Sequence, residues 1–298
     1  PASAHAAAMD ADLLPVLVHI QAGLDQDLSL ADLAQTSGLS ASTLKRRIEA
    51  TTGETPRRYV ERLRLERAAS QLMLRQSTVL HIALDNGFRS HEVFTRAFTR
   101  HFGMSPSAWR DQRAAGGLGH NERQPGLSET IEGAAISSTR VTELRSIEVA
   151  FLRHTGPYDQ VDGGLWGRVR QRLAELDIST DGLPLGIAQD PPHITPPERL
   201  RFDAGWTIDG DLPPECGLGQ QTVGGGTFAV TTYVGPFSQI GHAYELIGQR
   251  FMNHPEMVVH GAAIEWYRTG SIDEETYLNQ VDISFPIKAR ADSPRVLE

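Results

Sequence analysis

The sequence predicts two domains of different fold class, an all-α domain followed by an α+β domain. Helical periodicity runs through residues 10–113, whereas short alternating apolar segments punctuated by Gly and Pro begin at residue 140. A stretch without periodicity, 114–139, lies between them and is rich in Gly, Ser and polar residues, as linkers are. The length of 298 residues is sufficient for two hydrophobic cores, and we expect the second domain to end near residue 290.

An internal duplication organises the first domain. A set of residues recurs about fifty positions later, at an offset of 49 in its first part and 50 in its second. The first copy contains Leu33-Ala34, Gly38-Leu39, Leu44-Lys45-Arg46, Gly53 and Pro56, which recur as Ile82-Ala83, Gly87-Phe88, Phe94-Thr95-Arg96, Gly103 and Pro106. Internal repeats fix the architecture, so we expect two copies of one small helical module.

Capping residues and glycines set the expected helix limits. Ser29, Ser40 and Ser90 precede apolar-periodic segments as N-caps do, and Asp32 follows Ser29 in the manner of a capping box. Glycines at the expected helix ends suit the left-handed conformation found there. The expected helices are a first amphipathic helix marked by Leu13, Leu14, Leu17 and Val18, then Ser29 to Gly38, 41–51, 56–74, 78–85, 91–101 and a closing helix from Pro106. Each unit, about 29–53 and 78–103, is therefore a helix-turn-helix.

The second helix of each unit has the composition of a DNA-reading helix, with polar side chains on one face and apolar ones on the other. The expected apolar stripes are Leu44 and Ile48 in the first copy and Val93, Phe94 and Phe98 in the second. Arg46 and Arg96 occupy equivalent positions, and Arg bidentate to guanine is the commonest specific base contact. A solvated or phosphate-facing Arg is the alternative for each. The other candidates for DNA contact are Ser42, Thr43, Lys45, His91, Glu92 and Thr95.

The helix expected between the two units sets the spacing of the readers. At about 1.5 Å per residue, a helix over 56–74 spans roughly 28 Å, which approaches the roughly 34 Å between successive major grooves on one DNA face. One chain can then read two consecutive grooves without dimerisation. Five arginines on this helix either contact phosphates or pair with Glu61 and Glu66 on its surface. They are Arg57, Arg58, Arg62, Arg64 and Arg67.

The charge of the chain is divided between its halves. Residues 38–113 contain 14 Lys/Arg and 7 Asp/Glu, a net charge of +7, whereas 116–298 contain 14 and 25, a net charge of −11. A basic segment beside an acidic one indicates a half that binds nucleic acid and a half with another task. The single cysteine, Cys216, excludes an intramolecular disulfide and fits a reducing cytoplasm. The Ala-rich start, Pro1 to Met9, lacks the features of a signal peptide, and no apolar run is long enough to span a membrane.

The first domain resembles the DNA-binding domain of the AraC/XylS family of bacterial transcription regulators. The resemblance covers residues 10–113 and is most specific in the second unit. It rests on Ile82-Ala83, on the run Asn86-Gly87-Phe88-Arg89-Ser90-His91-Glu92-Val93-Phe94-Thr95-Arg96-Ala97-Phe98, on Phe102-Gly103-Met104-Ser105-Pro106, and on Trp109-Arg110. Trp109 stands where the family usually has Tyr. The resemblance implies a bipartite reader of double-stranded DNA.

A second duplication, at an offset of 79, organises the second domain. Ala150 and Gly156-Pro157-Tyr158-Asp159-Gln160-Val161 recur as Ala229 and Gly235-Pro236-Phe237-Ser238-Gln239-Ile240. Each copy is expected to form a strand, a Gly-Pro-aromatic turn and a helix, within halves of strand-helix-strand-strand order. Two halves related by approximate two-fold symmetry would join their antiparallel sheets and leave a cleft between them. The expected strands are 141–154, 184–190, 201–208, 226–234, 261–268 and 279–286, and the expected helices are 158–176 and 237–253.

Aromatic and acidic residues are the informative ones in this domain. Glu265 lies in an expected strand next to Trp266 and Tyr267, and a buried acid is costly unless something offsets its charge. An aromatic-lined cleft with one carboxylate suits an apolar cation. The alternative is that Glu265 faces solvent while Trp266 points inward. The histidines show no ligand spacing, so neither a metal site nor a cofactor is expected, and Gly224-Gly225-Gly226 precedes a strand, unlike a phosphate loop.

Residues 140–288 resemble the GyrI-like, or effector-binding, domain of multidrug-sensing regulators. The resemblance rests on the two Gly-Pro-aromatic motifs, Asp190-Pro191-Pro192, Arg201-Phe202-Asp203-Ala204-Gly205, Glu265-Trp266-Tyr267 and Phe285-Pro286-Ile287. In that family the Glu at this strand position lies in the central cleft and can contact cationic ligands. The resemblance therefore implies that Glu265 is the main ligand-binding residue, with Tyr267, Trp206 and Tyr233 as further candidates.

The sequence as a whole predicts a cytoplasmic, DNA-binding transcription regulator that is not an enzyme and senses a small amphipathic or cationic effector. RNA polymerase is a further partner that this function allows, and no catalytic residue is assigned. One rival hypothesis is hydrolysis of a reactive small molecule, with a buried carboxylate as general base. Another is that the second domain binds a protein, such as polymerase or gyrase.

Overall fold

A computed structural model describes residues 13–73, 77–116, 133–214, 216–254, 257–269 and 279–289. The Ala-rich start and the middle of the expected linker, 117–132, lie outside these residues. Seven helices form the described part of the first domain: α1 (Leu14–Ala22), α2 (Leu30–Ser37), α3 (Ala41–Thr52), α4 (Pro56–Met73), α5 (Val79–Asp85), α6 (His91–Phe102) and α7 (Pro106–Gly116). The expected helices are confirmed to within a few residues at their ends.

The expected caps close the helices of both units. The Ser29, Ser40 and Ser90 hydroxyls each accept a hydrogen bond from the backbone N–H three residues on. Each satisfies one of the donors that a helix start leaves without an intrahelical partner. Gly87, between α5 and α6, has φ +72°, and a Cβ there would lie 2.7 Å from the Leu24 carbonyl oxygen. A glycine is therefore required at this turn for both conformation and space.

Helix α4 joins two separate hydrophobic cores. Its first half contributes Tyr59 and Leu63 to a core with α1, α2 and α3, and its second half contributes Leu65 and Leu72 to a core with α5, α6 and α7. Each helix-turn-helix unit thus has its own core, and α4 is the rigid element between them. Its 18 residues give a length of about 27 Å at about 1.5 Å per residue.

Three of the five α4 arginines bond within the protein, and of the two alternatives for this helix the pairing with Glu66 is observed for Arg62. Arg62 is 5% exposed and pairs with Glu54 and Glu66 at 2.8 and 3.0 Å. Arg64 donates to the backbone carbonyls of Leu24 and Gly87. Arg67 donates to Asn86 Oδ1 at 2.7 Å. Arg64 thereby joins the segment after α1 to the turn of the second unit, whereas Arg62 bonds within the α3–α4 region and Arg67 joins α4 to the end of α5. The exposed arginines of α4 that can face DNA are Arg57 and Arg58.

Helix α1 has two buried faces, one for each domain. Leu13, Leu17 and Ile20 lie in the first core of the DNA-binding domain. Leu14 and Val18 pack against apolar side chains of the second domain's sheet. A helix that is apolar all round is typical of burial on more than one side. The apolar composition of α1 is consistent with burial on two sides, although its periodicity alone predicts only that it packs within the first domain.

The second domain is built around an antiparallel sheet whose strands differ in length. Its strands are β1 (Ala135–Ile136), β2 (Arg140–Leu144), β3 (Ile147–Thr155), β4 (Pro184–Ala188), β5 (Arg201–Ile208), β6 (Gly219–Val223), β7 (Gly226–Gly235), β8 (Met257–Val259), β9 (Ala263–Thr269) and β10 (Asn279–Ala289). The order across the described sheet is β1-β7-β10-β9-β4-β5-β3-β6, with β2 also on β7 and β8 also on β10. The expected strand 141–154 is two strands, and β1, β6 and β8 were not predicted.

The two halves of the sheet are related as the 79-residue duplication predicts. Strands β3, β4 and β5 correspond to β7, β9 and β10, and the two sets meet where β4 pairs with β9. A one-turn 3-10 segment follows each Gly-Pro motif and leads into α8 (Gly164–Glu175) or α9 (Ile240–Asn253). Helices α8 and α9 cover one face of the sheet, and α1 covers part of the other. Strand β1 and the end of α7 lie within the expected linker 114–139.

Candidate functional site

The two reading helices present matching surfaces. Leu44 and Ile48 of α3 and Phe94 and Phe98 of α6 are fully buried, as predicted. Arg46 and Arg96 are both exposed, each two residues from its anchors and so on the opposite face of the helix. Lys45, Ser42, His91 and Glu92 are exposed on the same two helices. The structure therefore brings two outward-facing arginines to equivalent places on α3 and α6.

Three predicted positions on these helices differ from expectation. Val93 is 44% exposed, so its assignment to the buried stripe is wrong; the stripe is completed by Ala97, which is 5% exposed. Thr95 is half-buried and its hydroxyl oxygen is enclosed by protein, so the hydroxyl does not face outward. Thr43 is half-buried and its hydroxyl accepts from Ser40 at 2.8 Å, within the cap of α3. Val93 and Thr95 lie on either side of Phe94, so periodicity alone does not decide which of them borders the buried stripe.

Glu92 remains ionised next to Arg96. A hydrogen bond from Ser90 holds the pKa of the Glu92 carboxyl below its ordinary value, and the charges of His91 and Arg96 act in the same direction. Because Glu92 is exposed, it can accept from a base edge such as the cytosine amino group, whereas it would repel a phosphate. The geometry thus places a donor and an acceptor on one face of α6.

In the second domain, Glu265 lies on the face of β9 that α8 and α9 cover, so the solvent-facing alternative is wrong. Its residue exposure is 5%, and each carboxylate oxygen accepts a tyrosine hydroxyl: Tyr244 at 2.7 Å on Oε1 and Tyr267 at 2.6 Å on Oε2. Burial raises the pKa of Glu265 above its ordinary value, and the two hydrogen bonds oppose that rise. Trp266 points to the opposite face, towards α1. The carboxyl is therefore held without a cationic partner among the described residues.

Aromatic rings surround this carboxyl and fill the place where the two halves meet. The Tyr267 ring lies edge-on to Trp166 and to Phe237, each with centroids 5.5 Å apart. Trp166 in turn lies edge-on to Phe202 at 5.8 Å, and Tyr158 to Phe202 at 5.9 Å. Trp166, Phe202 and Tyr267 are buried. Together these rings form an apolar, aromatic shell around the acid.

The two halves differ at the point where they meet. Glu265 pairs across β4 and β9 with Gly186, which is its own counterpart at the 79-residue offset. A Cβ on Gly186 would lie 2.4 Å from Phe202 Cζ and 2.5 Å from the Tyr267 hydroxyl. The glycine thus leaves room for Tyr267 to reach Glu265. Leu165 and Ala188 are the counterparts of Tyr244 and Tyr267 in the same register.

Of the other predicted ligand residues, Trp206 lies outside the ring cluster around Glu265, whereas Tyr233 shares a buried core with Tyr267. Trp206 packs in a different cluster beneath α8, with the guanidinium of Arg170 5.9 Å from its ring centre. Tyr233 is fully buried and its hydroxyl donates to the Pro236 carbonyl at 2.7 Å, which closes the turn after β7. Sequence reasoning missed Tyr244. Its signal was helical periodicity, since Ile240, Ala243, Tyr244 and Ile247 fall on one face of α9.

The opposite face of the sheet contains a cavity of about 540 Å³ between α1 and the strands. Amide side chains dominate its lining, among them Gln21, Gln189 and Gln221. Gln189 and Gln221 both donate to Asp203, which is buried in a bidentate pair with Arg153. Within the described ranges no cluster of three His, Cys, Asp or Glu could bind a metal. Within the same ranges, none of the helices has both the length and the apolar character needed to cross a bilayer.

Comparison with known proteins agrees with both domains. Residues 33–112 match the family described as Helix-turn-helix domain, and residues 138–288, just over half of the chain, match the GyrI-like small molecule binding domain. The transposon Tn10 TetD protein of Escherichia coli is 39% identical over 95 residues, which are 32% of this chain and 69% of TetD. A putative AraC-like transcription regulator of Streptomyces lividans is 42% identical over 82 residues, 28% of this chain and 27% of that protein.

Further relatives follow the same pattern. The HTH-type transcriptional activator RhaS of Escherichia fergusonii is 36% identical over 106 residues, 36% of this chain and 38% of RhaS. The chain thus spans about two thirds of TetD and about a third of the other two. An AraC-type transcriptional regulator of Chromobacterium violaceum aligns with a TM-score of 0.33 and 30% identity, over 39% of this chain and 95% of that one. With both domain families matched on one chain, the protein belongs to the AraC/XylS-type regulators that carry a C-terminal GyrI-like small molecule binding domain.

Proposed function

We propose that this protein is a transcription regulator that binds double-stranded DNA through α3 and α6 and senses a small organic cation through Glu265. The observation that carries the sensing role is the buried Glu265 carboxyl, which among the described residues is held by two tyrosine hydroxyls inside an aromatic shell. An amphipathic cation supplies both the opposite charge and the apolar surface that such a site lacks. Tyr244 and Tyr267 are the further ligand residues of this proposal.

The electrostatics favour a cation over a neutral ligand. Burial disfavours the ionised carboxylate, and an adjacent cation reverses that preference because opposite charges attract strongly away from water. Aromatic faces carry negative potential and add to the attraction. Entry requires the rings of Tyr244 or Tyr267 to move, since both hydroxyls occupy the carboxylate oxygens. The same occupation leaves Glu265 poorly placed to activate water, so the geometry favours binding over hydrolysis.

The DNA-binding half of the proposal rests on the matching positions of Arg46 and Arg96. A helix of about 27 Å separates their cores, which suits two consecutive major grooves on one DNA face. We further propose that regulation takes place in the cytoplasm and that RNA polymerase is the protein whose recruitment or exclusion changes at the bound promoter.

A pair of ions of opposite charge and nearly equal shape tests the sensing role. Tetraphenylphosphonium, a cation, should bind the full chain in a calorimetric titration, whereas the anion tetraphenylborate should not. Glu265→Gln should weaken the binding of tetraphenylphosphonium at least about tenfold, which corresponds to about 1.4 kcal/mol. Glu175→Gln, which neutralises an exposed Glu on α8, is the matched control and should leave the Kd unchanged.

Two results would overturn this assignment. Equal binding of both ions would show that apolar surface alone recognises the ligand. An unchanged Kd in Glu265→Gln would show that the cation binds elsewhere. Product formation from a reactive electrophile, abolished in Glu265→Gln, would instead favour the hydrolytic alternative.

A further inference from the structure

One loop of the second domain contacts both cores of the DNA-binding domain. The β4–β5 loop, defined here as residues 189–201, leaves the sheet and packs along α4. Gln189 accepts a hydrogen bond from Gln21 of α1 at 2.8 Å, and Arg199 pairs with Glu54 at 2.8 Å. Ile194 packs into the core of the second helix-turn-helix unit. The contacts of this loop therefore extend from α1 to the far half of α4.

A buried ion pair closes the β4–β5 loop at its two ends. Arg201 donates through Nε and Nη2 to the two Asp190 oxygens at 2.8 and 2.6 Å, and its backbone N–H donates to the same carboxylate. Both residues are 6% exposed. Separating such a pair would leave an unpaired charge inside the protein, which is strongly unfavourable. Asp190 and Arg201 must therefore move together as one unit.

The third guanidinium nitrogen of Arg201, which does not contact Asp190, bonds to the DNA-binding domain. Arg201 Nη1 donates to the Tyr59 hydroxyl of α4 at 3.0 Å. Tyr59 is 2% exposed and lies in the same core as Leu44 and Ile48, the anchors of reading helix α3. Ile194 lies in the core that contains Phe94 and Phe98, the anchors of α6. The loop thus touches the packing beneath each reading helix.

The other end of the pair is attached to the ring cluster around Glu265. The Tyr158 hydroxyl donates to the Asp190 carbonyl at 2.7 Å and accepts from the Asp190 N–H at 3.1 Å. The Tyr158 ring packs edge-on against Phe202, which contacts Trp166, which contacts Tyr267. A ligand that displaces Tyr267 must repack these rings, because protein interiors are densely filled.

We propose that the β4–β5 loop transmits ligand occupancy from Glu265 to α4, through Tyr158, the Asp190–Arg201 pair and Tyr59. The proposal rests on the proposed function for its ligand, but its path is defined by contacts present without one. Movement of the pair shifts Tyr59 relative to Ile194 and so changes the relative orientation of α3 and α6. Because DNA reading needs both helices in register with consecutive grooves, a small change in orientation alters DNA affinity.

Hydrogen exchange of the ligand-free full chain tests the path itself. Tyr158→Phe removes the hydroxyl that holds Asp190 and retains the ring against Phe202. It should raise amide exchange in the first half of α4 at least about threefold, and Tyr59→Phe should do the same. Thr227→Val is the matched control, since it deletes a hydroxyl hydrogen bond to Glu143 on the far side of the sheet. If Tyr158→Phe leaves α4 exchange at the level of Thr227→Val, the path is absent.

A double-mutant cycle adds a second criterion. Tyr158→Phe and Tyr59→Phe act on one path, so their combined effect on α4 exchange should be clearly less than the product of the single effects. Multiplicative effects would mean that the two hydroxyls act independently, which overturns the proposal. Thermal unfolding of each variant checks that its native fold is retained.

Ligand coupling separates this proposal from the function on which it rests. A duplex selected from a random pool by the full chain is titrated with and without tetraphenylphosphonium. We expect the cation to change the DNA Kd about 5- to 150-fold, and both Phe variants to reduce that factor towards one. A coupling factor that persists in both variants refutes the path and leaves the sensing function intact. Absence of any cation effect on the parent chain, together with altered α4 exchange, refutes the ligand assignment and leaves the path intact.

Discussion

The two internal duplications differ in whether their copies have the same functional residues at equivalent positions. In the first, Arg46 and Arg96 stand at equivalent positions, both exposed, above equivalent buried anchors. In the second, the residues that meet at the β4–β9 junction differ, with Gly186 opposite Glu265 and Ala188 in the place of Tyr267. Two similar copies suit the repeated grooves of DNA. Two different copies suit a single small ligand, because two acids facing each other across one junction would repel.

Mutation of both reading arginines should produce the largest effect and tests the equivalence of the first pair of copies. Arg46→Ala and Arg96→Ala should each cost about 1–3 kcal/mol on specific DNA and relax discrimination at one position, with additive effects in the double variant. Titration of a labelled selected duplex and its point variants measures both. Arg168→Ala, an exposed change on α8, is the control. Loss of specific DNA affinity in only one of the two single variants would show that the two copies do not contact DNA equivalently.

The turn glycines show where the same copies are no longer interchangeable. Gly38 and Gly87 share a positive φ, but a Cβ on Gly38 meets open space, whereas on Gly87 it meets the Leu24 carbonyl and Arg64. Gly38→Ala should therefore cost about 1–2 kcal/mol for conformation alone. Gly87→Ala should cost clearly more, since Arg64 must also leave its partners. Equal unfolding free energies for the two variants in urea would contradict this difference.

Gly186 tests the difference between the halves of the sheet domain. Gly186→Ala forces a methyl group into contact with Phe202 and the Tyr267 hydroxyl, and overpacking of this kind costs about 1–3 kcal/mol. Gly167→Ala on α8 is the control, because nothing lies within 4 Å of its added Cβ and Ala favours a helix. Calorimetry should show a lower melting temperature for Gly186→Ala and no decrease for Gly167→Ala. Unchanged melting of Gly186→Ala would mean that the junction has room to spare.

The smallest effect concerns the pH dependence of stability. The pKa of Glu265 is raised in the folded protein, so the folded state holds this proton more tightly than the unfolded state does. The associated stability is present at pH values below the ordinary value of 4.5 and is lost as the pH rises through the folded-state value. Glu265→Gln lacks this titration and should melt higher than the parent chain at pH 7. The difference should shrink towards pH 4; a difference that is constant with pH would exclude the titration of Glu265 as its cause.

Local chemistry made much of the fold predictable. Serine caps, turn glycines and 3.6-residue periodicity located the helices of the first domain, because each depends on neighbours close in the chain. The 79-residue offset predicted the paired halves of the sheet. Strands β1, β6 and β8 were not predicted from the sequence, because such short strands have little periodicity and their pairing partners are distant in sequence.

The candidate sites were predictable in outline and less so in detail. The pattern singled out Glu265 and Tyr267, and the structure brings them together. It could not show that Trp206 packs in another cluster or that the Tyr233 hydroxyl closes a turn, since face and neighbours depend on which helix covers which strand. Tyr244 comes from α9, a separate element, and only packing shows that it reaches Glu265.

By itself, the sequence determined the two domain types, the two duplications, the caps and the positions of the matching arginines, because these depend on residue type and spacing along the chain. Tertiary structure alone decided that α1 is shared by both domains, that Arg62, Arg64 and Arg67 bond within the DNA-binding domain, and that the β4–β5 loop packs on α4. These features depend on contacts between residues far apart in the chain, such as Glu54 and Arg199, which are 145 positions apart, and no local pattern encodes such contacts.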